Sequence, residues 1–291
     1  MKKAFLQLHA AVFLAGFTGI LGRLISLNEA VLVWYRLLIS AVTLWIIFYF
    51  QKKLKKVSFR DMALITGTGF VLALHWVTFY GSIRFANVSV AVVCFSAIGF
   101  FTALIEPLIL QKKIQWVECL LGLLSIAGIA IIFHFDPQYK YGIIIGLLSA
   151  LLGCLFPIFN RQFVQRIAIE SVTLYELSGG FIFLTFILPF YLKISPAASL
   201  IPSASDSVWL LLLSWICTVL AFHLSMNALT RISAFTVNLT YLLEPLYTIL
   251  LAFLLFRENK QLGPAFYAGL GLITLSVLLQ TFLVYKLRKS A

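Results

Sequence analysis

Apolar runs, separated by short polar gaps, follow one another along almost the whole chain. The chain has 291 residues, of which 62% are hydrophobic and only 11% charged, and its mean hydropathy is +1.03. These values lie far outside the range of soluble globular domains. A membrane-spanning helix needs roughly 20 mostly apolar residues, so the sequence predicts an all-α polytopic membrane protein. Because the gaps are short, any functional site is expected inside the bilayer.

The apolar runs between charged or Pro/Asn/Ser-rich breaks predict ten transmembrane helices. They cover residues 4–22, 29–50, 60–82, 86–110, 114–133, 141–159, 171–192, 207–229, 233–256 and 262–285.

The basic residues indicate how these helices are oriented. The formal net charge is +12, but the lysines and arginines form short clusters between apolar runs rather than a stripe typical of nucleic-acid binding. If the N-terminus is cytoplasmic, fifteen of the 22 basic residues fall in cytoplasmic segments and six on the other side. Positive loops stay in the cytoplasm. We therefore predict a multi-pass protein of the cell membrane (an inner membrane), with both termini cytoplasmic.

Comparison of the two halves indicates an internal repeat. The stretch "WYRLLIS" (34–40) matches "LYELSGG" (174–180) at an offset of 140 positions, whereas Arg84 matches Arg231 and Gly122 matches Gly269 at an offset of 147. Each half contains five predicted spans, an odd number, so the second half is expected to insert upside down relative to the first. The sequence predicts two inverted five-helix repeats around a central cavity, at residues 1–138 and 139–291.

The stretch "ALTRISAFTVNLTYLLEPLYTILLAFLLFRE" (228–258) and the glycine-studded "AGLGLITLSVLL" (268–279) resemble the EamA-like transporters of the drug/metabolite transporter superfamily. The resemblance covers essentially the whole chain. It implies a basket of helices around a central cavity that opens alternately to either side, with the fifth and tenth spans at the periphery. It also implies a glutamate at the end of the ninth span, matched by Glu258, whereas Gln111 occupies the equivalent position in the first half.

The segment "LTYLLEPLYTILL" (239–251) places Glu244 near the bilayer midplane. A charged group there costs at least about 2.5 to 3.5 kcal/mol and often marks a transport pathway. Glu244 is interpreted as a carboxylate that carries a proton or binds a substrate amine, beside a helix kinked at Pro245. The alternative is a protonated glutamate hydrogen-bonded to another helix, or one paired with a structural arginine. In the repeat register "ALIEPLIL" (103–110) is not its counterpart.

Other polar and aromatic side chains in the spans extend the candidate site. The predicted substrate-binding residues are Glu244, Tyr241, Asn238, Trp76, His75, Arg36 and His223, and the predicted gate residues are Glu106 and Glu176. Arg36 is interpreted as the contact for a substrate carboxylate, with an ion pair to Glu29 or to a helix C-terminus as the alternative. Lone histidines in membrane spans more often form structural interhelical hydrogen bonds than proton relays, and for Glu106 snorkelling to the interface is the favoured alternative to a gate.

These features predict a secondary transporter that moves a small organic metabolite, such as an amino acid or a related amphipathic solute, by alternating access. A proton gradient acting through Glu244 and facilitated export are both compatible with the residues. No nucleotide motif suggests coupling to ATP, and we expect no enzymatic activity, no cofactor, no metal and no nucleic-acid partner. A monomer or a homodimer is expected. The alternatives are a membrane-embedded enzyme acting on a lipid and a non-transporting membrane subunit.

Overall fold

The computed structural model describes residues 2–135 and 137–289, and within these ranges the chain is helical and contains no strand. The helices are α1 (Lys2–Leu24), α2 (Glu29–Phe50), α3 (Phe59–Phe85), α4 (Val88–Phe95), α5 (Ile98–Ile109), α6 (Trp116–Phe135), α7 (Lys140–Phe163), α8 (Ile169–Ile194), α9 (Ala204–Ser214), α10 (Ala221–Leu229), α11 (Ala234–Tyr241), α12 (Glu244–Phe256) and α13 (Pro264–Lys289). A π-helical segment, Trp215–Leu220, joins α9 to α10.

Nine segments within the described ranges are long and apolar enough to cross a membrane. They are Lys2–Leu24, Glu29–Phe50, Phe59–Phe85, Val88–Ile109, Trp116–His134, Pro137–Phe163, Ile169–Ile194, Ala204–Leu229 and Ala234–Phe256. The tenth predicted segment, 262–285, falls in α13, of which Pro264–Leu279 forms a shorter apolar helix. The chain is therefore a multi-pass membrane protein, as its composition predicts.

Two of the predicted spans are interrupted in the middle. The fourth breaks at Ser96 and Ala97 between α4 and α5, and the ninth breaks at Leu242 and Leu243 between α11 and α12. At both breaks the backbone N–H groups bond the carbonyl three residues back instead of four: the N–H of Ser96 lies 3.0 Å from its acceptor and that of Leu243 also 3.0 Å. Such tightened turns mark a local departure from the α-helix. The sequence predicted a kink only in the ninth span.

The two interruptions occupy equivalent positions. Val88 and Ala234 begin α4 and α11, and Phe95 and Tyr241 end them, a spacing of 146 in each case. This spacing is one less than the offset of 147 that relates the matched arginines and glycines in the sequence. Because of the difference, the counterpart of Glu244 is Ile98 rather than Ala97. The two Glu-Pro pairs remain non-equivalent in either register.

Helix α3 forms an ion pair with a neighbouring segment at each of its ends. Arg84, near the end of α3, contacts the Glu29 carboxylate at 2.7 Å, and the same carboxylate accepts a hydrogen bond from Tyr191. At the other end of α3, Asp61 contacts Arg166 at 2.6 Å. We refer to these as the Glu29 end and the Asp61 end of the bundle.

Helices α6 and α13 pack against each other. Gly128 and Gly269 face each other in this pair, and a Cβ atom on either would overlap the carbonyl oxygen of the other. Small residues allow such close approach in membrane helices. Neither helix contributes to the central cavity described below, so this pair supports the bundle from the side.

Candidate functional site

A central cavity lies between α1, α2, α3, the two interrupted spans, α7, the π-helical segment and α10. Its volume of about 80 Å³ is several times the roughly 10 to 15 Å³ that one water molecule needs. The aromatic side chains on its wall are Trp76, Phe79, Phe95, Phe156, Phe222 and Tyr241. The larger polar and charged ones are Arg36, His75, Asn160, Asn238 and Glu244. Six of the seven predicted substrate-binding residues thus line one cavity.

Glu244 is the first residue of α12, directly after the break in the ninth span. Its side chain is buried, with 6% exposure, and no described residue forms a hydrogen bond to its carboxyl group. The position is favourable for a carboxylate because the first N–H groups of a helix carry partial positive charge. Pro245 follows it, and proline is tolerated in the first turn because its missing N–H would be unpaired there anyway. The break therefore presents an unpartnered carboxyl group to the cavity.

Arg36 is held by groups from two other elements, α3 and the π-helical segment. Its Nε donates to Thr218 Oγ1 at 2.7 Å, one terminal nitrogen donates to the Tyr80 hydroxyl at 3.0 Å, and the other donates to the Cys217 carbonyl at 3.4 Å. Its guanidinium carbon lies 3.6 Å from the centre of the Trp76 ring, a cation–π arrangement. Since a guanidinium has five N–H donors, these contacts leave two for another partner.

Arg36 does not pair with Glu29, the ion-pair alternative that the sequence left open, because Glu29 is engaged by Arg84 and Tyr191. Nor does Arg36 form an ion pair with Glu244: the ion pairs among the described residues are Lys53–Glu170, Arg84–Glu29 and Arg166–Asp61. Arg36 and Glu244 nevertheless both line the central cavity. The cavity therefore holds one cation and one carboxyl group that do not neutralise each other by contact.

His75 and Asn238 both form interhelical hydrogen bonds. His75 Nδ1 lies 2.9 Å from the Ser149 carbonyl oxygen and 3.0 Å from the Ser149 hydroxyl, and its ring packs against Phe95 and Phe156. Asn238 Nδ2 donates to Thr102 Oγ1 at 2.9 Å. Both residues line the cavity and also join two helices. The structural role that the sequence allowed for His75 is therefore filled by its Nδ1 contact with Ser149.

His223 lies outside the cavity lining, although its neighbour Phe222 lines it. The imidazole interacts electrostatically with Glu170 and Lys53, which form an ion pair of 3.2 Å. These two residues lie near the beginning of α8 and just after α2, at the Asp61 end of the bundle. The helical position of His223 in the sequence did not reveal which face of α10 turns away from the cavity.

The two predicted gate residues have different surroundings. Glu176 is fully buried, and its carboxylate oxygens accept from Asn160 Nδ2 at 3.0 and 2.9 Å. Asn160 lines the cavity, so Glu176 lies directly behind the wall. Glu106 is also buried, one of its oxygens has no hydrogen-bond partner, and it interacts with the backbone N–H of Phe235 and with Lys112.

Several residues in or next to the central cavity escaped the sequence analysis. Asn160 carried a recognisable signal, because it is an amide in an apolar span, three residues after Pro157. Tyr80 and Thr218 carried none. Their importance arises from contact with Arg36, which is 44 and 182 positions away in the chain.

Residues that could hold a metal are not clustered: among the described residues, no group of three or more His, Cys, Asp or Glu side chains is placed for that purpose. A helical multi-pass protein with a buried cavity of mixed polar and aromatic character has the architecture of a membrane transporter.

Comparison with known proteins identifies the family. The EamA-like transporter family matches the chain twice, over residues 2–134 and 140–282. The chain therefore belongs to the EamA-like transporter family, and the resemblance noted from the ninth and tenth spans is confirmed. The protein is a membrane transporter, with a small-molecule substrate and a lipid bilayer as its surroundings.

The chain is also similar to individual proteins. An uncharacterized transporter of Haemophilus influenzae is 25% identical over 235 residues, covering 77% of this chain and 74% of that protein. An uncharacterized transporter of Archaeoglobus fulgidus is 24% identical over 280 residues and covers 91% of both chains. A solved crystal structure shares the fold with a TM-score of 0.68 at 16% identity, over 99% of both chains.

Proposed function

We propose that this protein is a secondary transporter of small zwitterionic solutes with an apolar portion, such as amino acids and related amphipathic metabolites. The observation that carries the proposal is the central cavity, in which Arg36 and Glu244 face the same space without pairing with each other. Leaving two ionisable groups without a mutual contact inside a membrane is costly. A solute that supplies the complementary charges offsets that cost.

The contacts assign a role to each side of the cavity. The two free N–H groups of Arg36 suit a carboxylate, since a guanidinium binds carboxylates through paired hydrogen bonds. The Glu244 carboxyl group, which has no hydrogen-bond partner from the described residues, suits a substrate amine. Trp76 and Phe156 supply apolar walls for the remaining part of the solute.

Transport itself is proposed to follow alternating access through two five-helix halves, 1–138 and 139–291, inserted in opposite orientations. The equivalent breaks in the fourth and ninth spans support this arrangement, because they give both halves the same internal construction. We further propose ten spans, both termini in the cytoplasm and a location in the cell membrane. Export is the proposed direction, either facilitated or coupled to protons through Glu244, by a monomer or a homodimer.

The first experiment is a thermal-shift screen of the purified protein against amino acids, nucleosides and aromatic acids, followed by transport of each hit in liposomes. We expect hits to carry both an amine and a carboxylate. Arg36→Lys keeps the charge but loses the planar pair of donors, and Glu244→Gln removes the carboxylate. Both should abolish most of the transport, whereas Glu118→Gln, a matched change on α6 outside the cavity, should not.

Proton coupling is measured separately by imposing a pH gradient across the liposomes. If Glu244 carries the proton, the gradient drives accumulation in the wild type and not in Glu244→Gln. Hits confined to nucleosides, or transport that is indifferent to both Arg36→Lys and Glu244→Gln, would contradict the proposed substrate class.

A further inference from the structure

A second cavity lies at the Glu29 end of the bundle, and we call it the vestibule. Its volume is about 350 Å³, larger than that of the central cavity. The residues that line it and matter for the argument are Gly22, Asn28, Glu29, Tyr80, Arg84 and Pro196. They come from the ends of α1 and α3, the start of α2 and the segment after α8.

Tyr80 connects the lining of the vestibule to that of the central cavity. Its side chain lines the vestibule, and its hydroxyl group accepts a hydrogen bond of 3.0 Å from Arg36. Arg36 in turn lines the central cavity. Tyr80 is itself buried, with 3% exposure. Tyr80 on the vestibule and Arg36 on the central cavity are therefore joined directly by one hydrogen bond.

Gly22 fixes the position of the Tyr80 ring from the other side. A Cβ atom at residue 22 would overlap the Cε1 and Cδ1 atoms of that ring. The conflict is with a side chain and not with the backbone of another helix, so a larger residue would have to displace the ring from its position. A glycine in α1 is thus matched to the closed position of the tyrosine.

We propose that Tyr80 is the movable partition of the transport path at the Glu29 end, held closed by its hydrogen bond to Arg36 and by the space that Gly22 leaves for its ring. Rotation of this single side chain joins the vestibule to the central cavity. The inference rests on the proposed function, because a path closed by a side chain has meaning only in a transporter.

The chain contains a natural reporter for this partition. Cys217 lines the central cavity, and it is buried, as are Cys94, Cys119 and Cys154. The protein is placed in vesicles of known orientation, and a membrane-impermeant thiol reagent is added from one side. Mass spectrometry then measures the rate at which Cys217 is modified relative to the other three cysteines. No solute is needed.

Two variants open the partition in different ways. Gly22→Ala displaces the ring, and Tyr80→Phe keeps the ring but removes the hydroxyl group that Arg36 holds. The control is Gly67→Ala, because an added Cβ at this helical position on α3 meets no atom within 4 Å. We expect Cys217 modification from the Glu29 side to rise several-fold in both variants, and to remain at the wild-type rate in Gly67→Ala. Modification from the Asp61 side serves as the reference.

Equal modification of Cys217 in the wild type and in both folded variants, with full modification after denaturation, would overturn the partition. Melting temperatures identify a variant that has failed to fold, and Tyr80→Phe then carries the test alone. A negative result here leaves the proposed function standing if transport still depends on Arg36 and Glu244. Loss of that dependence would remove the proposed function without affecting the labelling result.

Discussion

The fourth and ninth spans have the same break in the backbone but different chemistry at it. In the ninth span the residues that open the second helix are Glu244 and Pro245, whereas Ile98 and Gly99 occupy the corresponding positions in the fourth. The fourth span breaks without a proline nearby, since Pro107 lies ten residues further on, in the last turn of α5. The backbone break is therefore present in both halves, whereas a carboxyl group lies at the break in the second half alone.

The other Glu-Pro pair belongs to a second comparison, between Glu106 and Glu258. Each lies near the end of one interrupted span and reaches the beginning of the other. Glu258 accepts from the N–H groups of Val88 and Ser89 at 3.1 and 2.9 Å and from the Ser89 hydroxyl at 2.5 Å. Glu106 interacts with the N–H of Phe235 and leaves one oxygen unbonded. By its contacts, Glu106 resembles Glu258 and not Glu244.

The largest expected difference is between Glu244→Gln and Glu106→Gln in solute binding. A hydrogen bond to a charged group contributes about 1.5 to 3 kcal/mol, so Glu244→Gln should weaken binding of a zwitterionic solute roughly 10- to 100-fold. Glu106 is absent from the cavity lining, and Glu106→Gln should bind normally. Titration of a hit from the thermal-shift screen measures both. Equal losses would mean that the two Glu-Pro pairs act as equivalent halves of one site.

The free energy of unfolding should depend most on Glu258, an acidic residue outside the central cavity. Glu258→Gln removes charge from a carboxylate that accepts three hydrogen bonds, and we expect a loss of about 1 to 3 kcal/mol in the free energy of unfolding. Glu106→Gln should cost less, because one carboxylate oxygen already lacks a partner. Thermal melting in detergent compares the two variants. A larger loss for Glu106→Gln would contradict the view that Glu258 secures the start of α4.

The hydrogen bond between the two interrupted spans offers a smaller test. Thr102→Val keeps the shape of the side chain but leaves Asn238 Nδ2 without its acceptor, at an expected cost of about 1 kcal/mol. Ser96→Ala is the control, because the Ser96 hydroxyl bonds the Val92 carbonyl of its own helix, at 3.4 Å. Melting temperatures should separate the two. No difference between them would show that the link between the spans contributes nothing measurable.

Removal of the proline should have the smallest effect. Pro245 lies in the first turn of α12, so Pro245→Ala is expected to change stability by less than about 1 kcal/mol and to preserve transport. The reason is that the fourth span has the same break although Gly99 occupies the position that corresponds to Pro245. A gain of about 3 kcal/mol, the cost of a proline inside a helix, together with lost transport would instead show that Pro245 imposes the break.

Much of the fold follows from the sequence, and so does part of the site. Each apolar run had to become a helix because unpaired backbone groups cannot remain in hydrocarbon, and nine of the ten predicted segments coincide with the nine spans found in the described residues. Trp76 and Glu244 stood out because a polar or amphipathic group deep in an apolar run is unusual. His223 stood out for the same reason, yet it does not line the central cavity.

The sequence by itself determined that the chain is a multi-pass membrane protein of the EamA-like transporter family, because hydropathy and family motifs are properties of consecutive residues. Only the tertiary structure decided that Arg36 is held by Tyr80 and Thr218 rather than by Glu29, that Glu176 supports Asn160, and that both halves contain a break. These outcomes depend on which helix faces lie opposite each other. Which helix faces lie opposite each other is determined by packing among all the spans and cannot be read from the sequence of any single span.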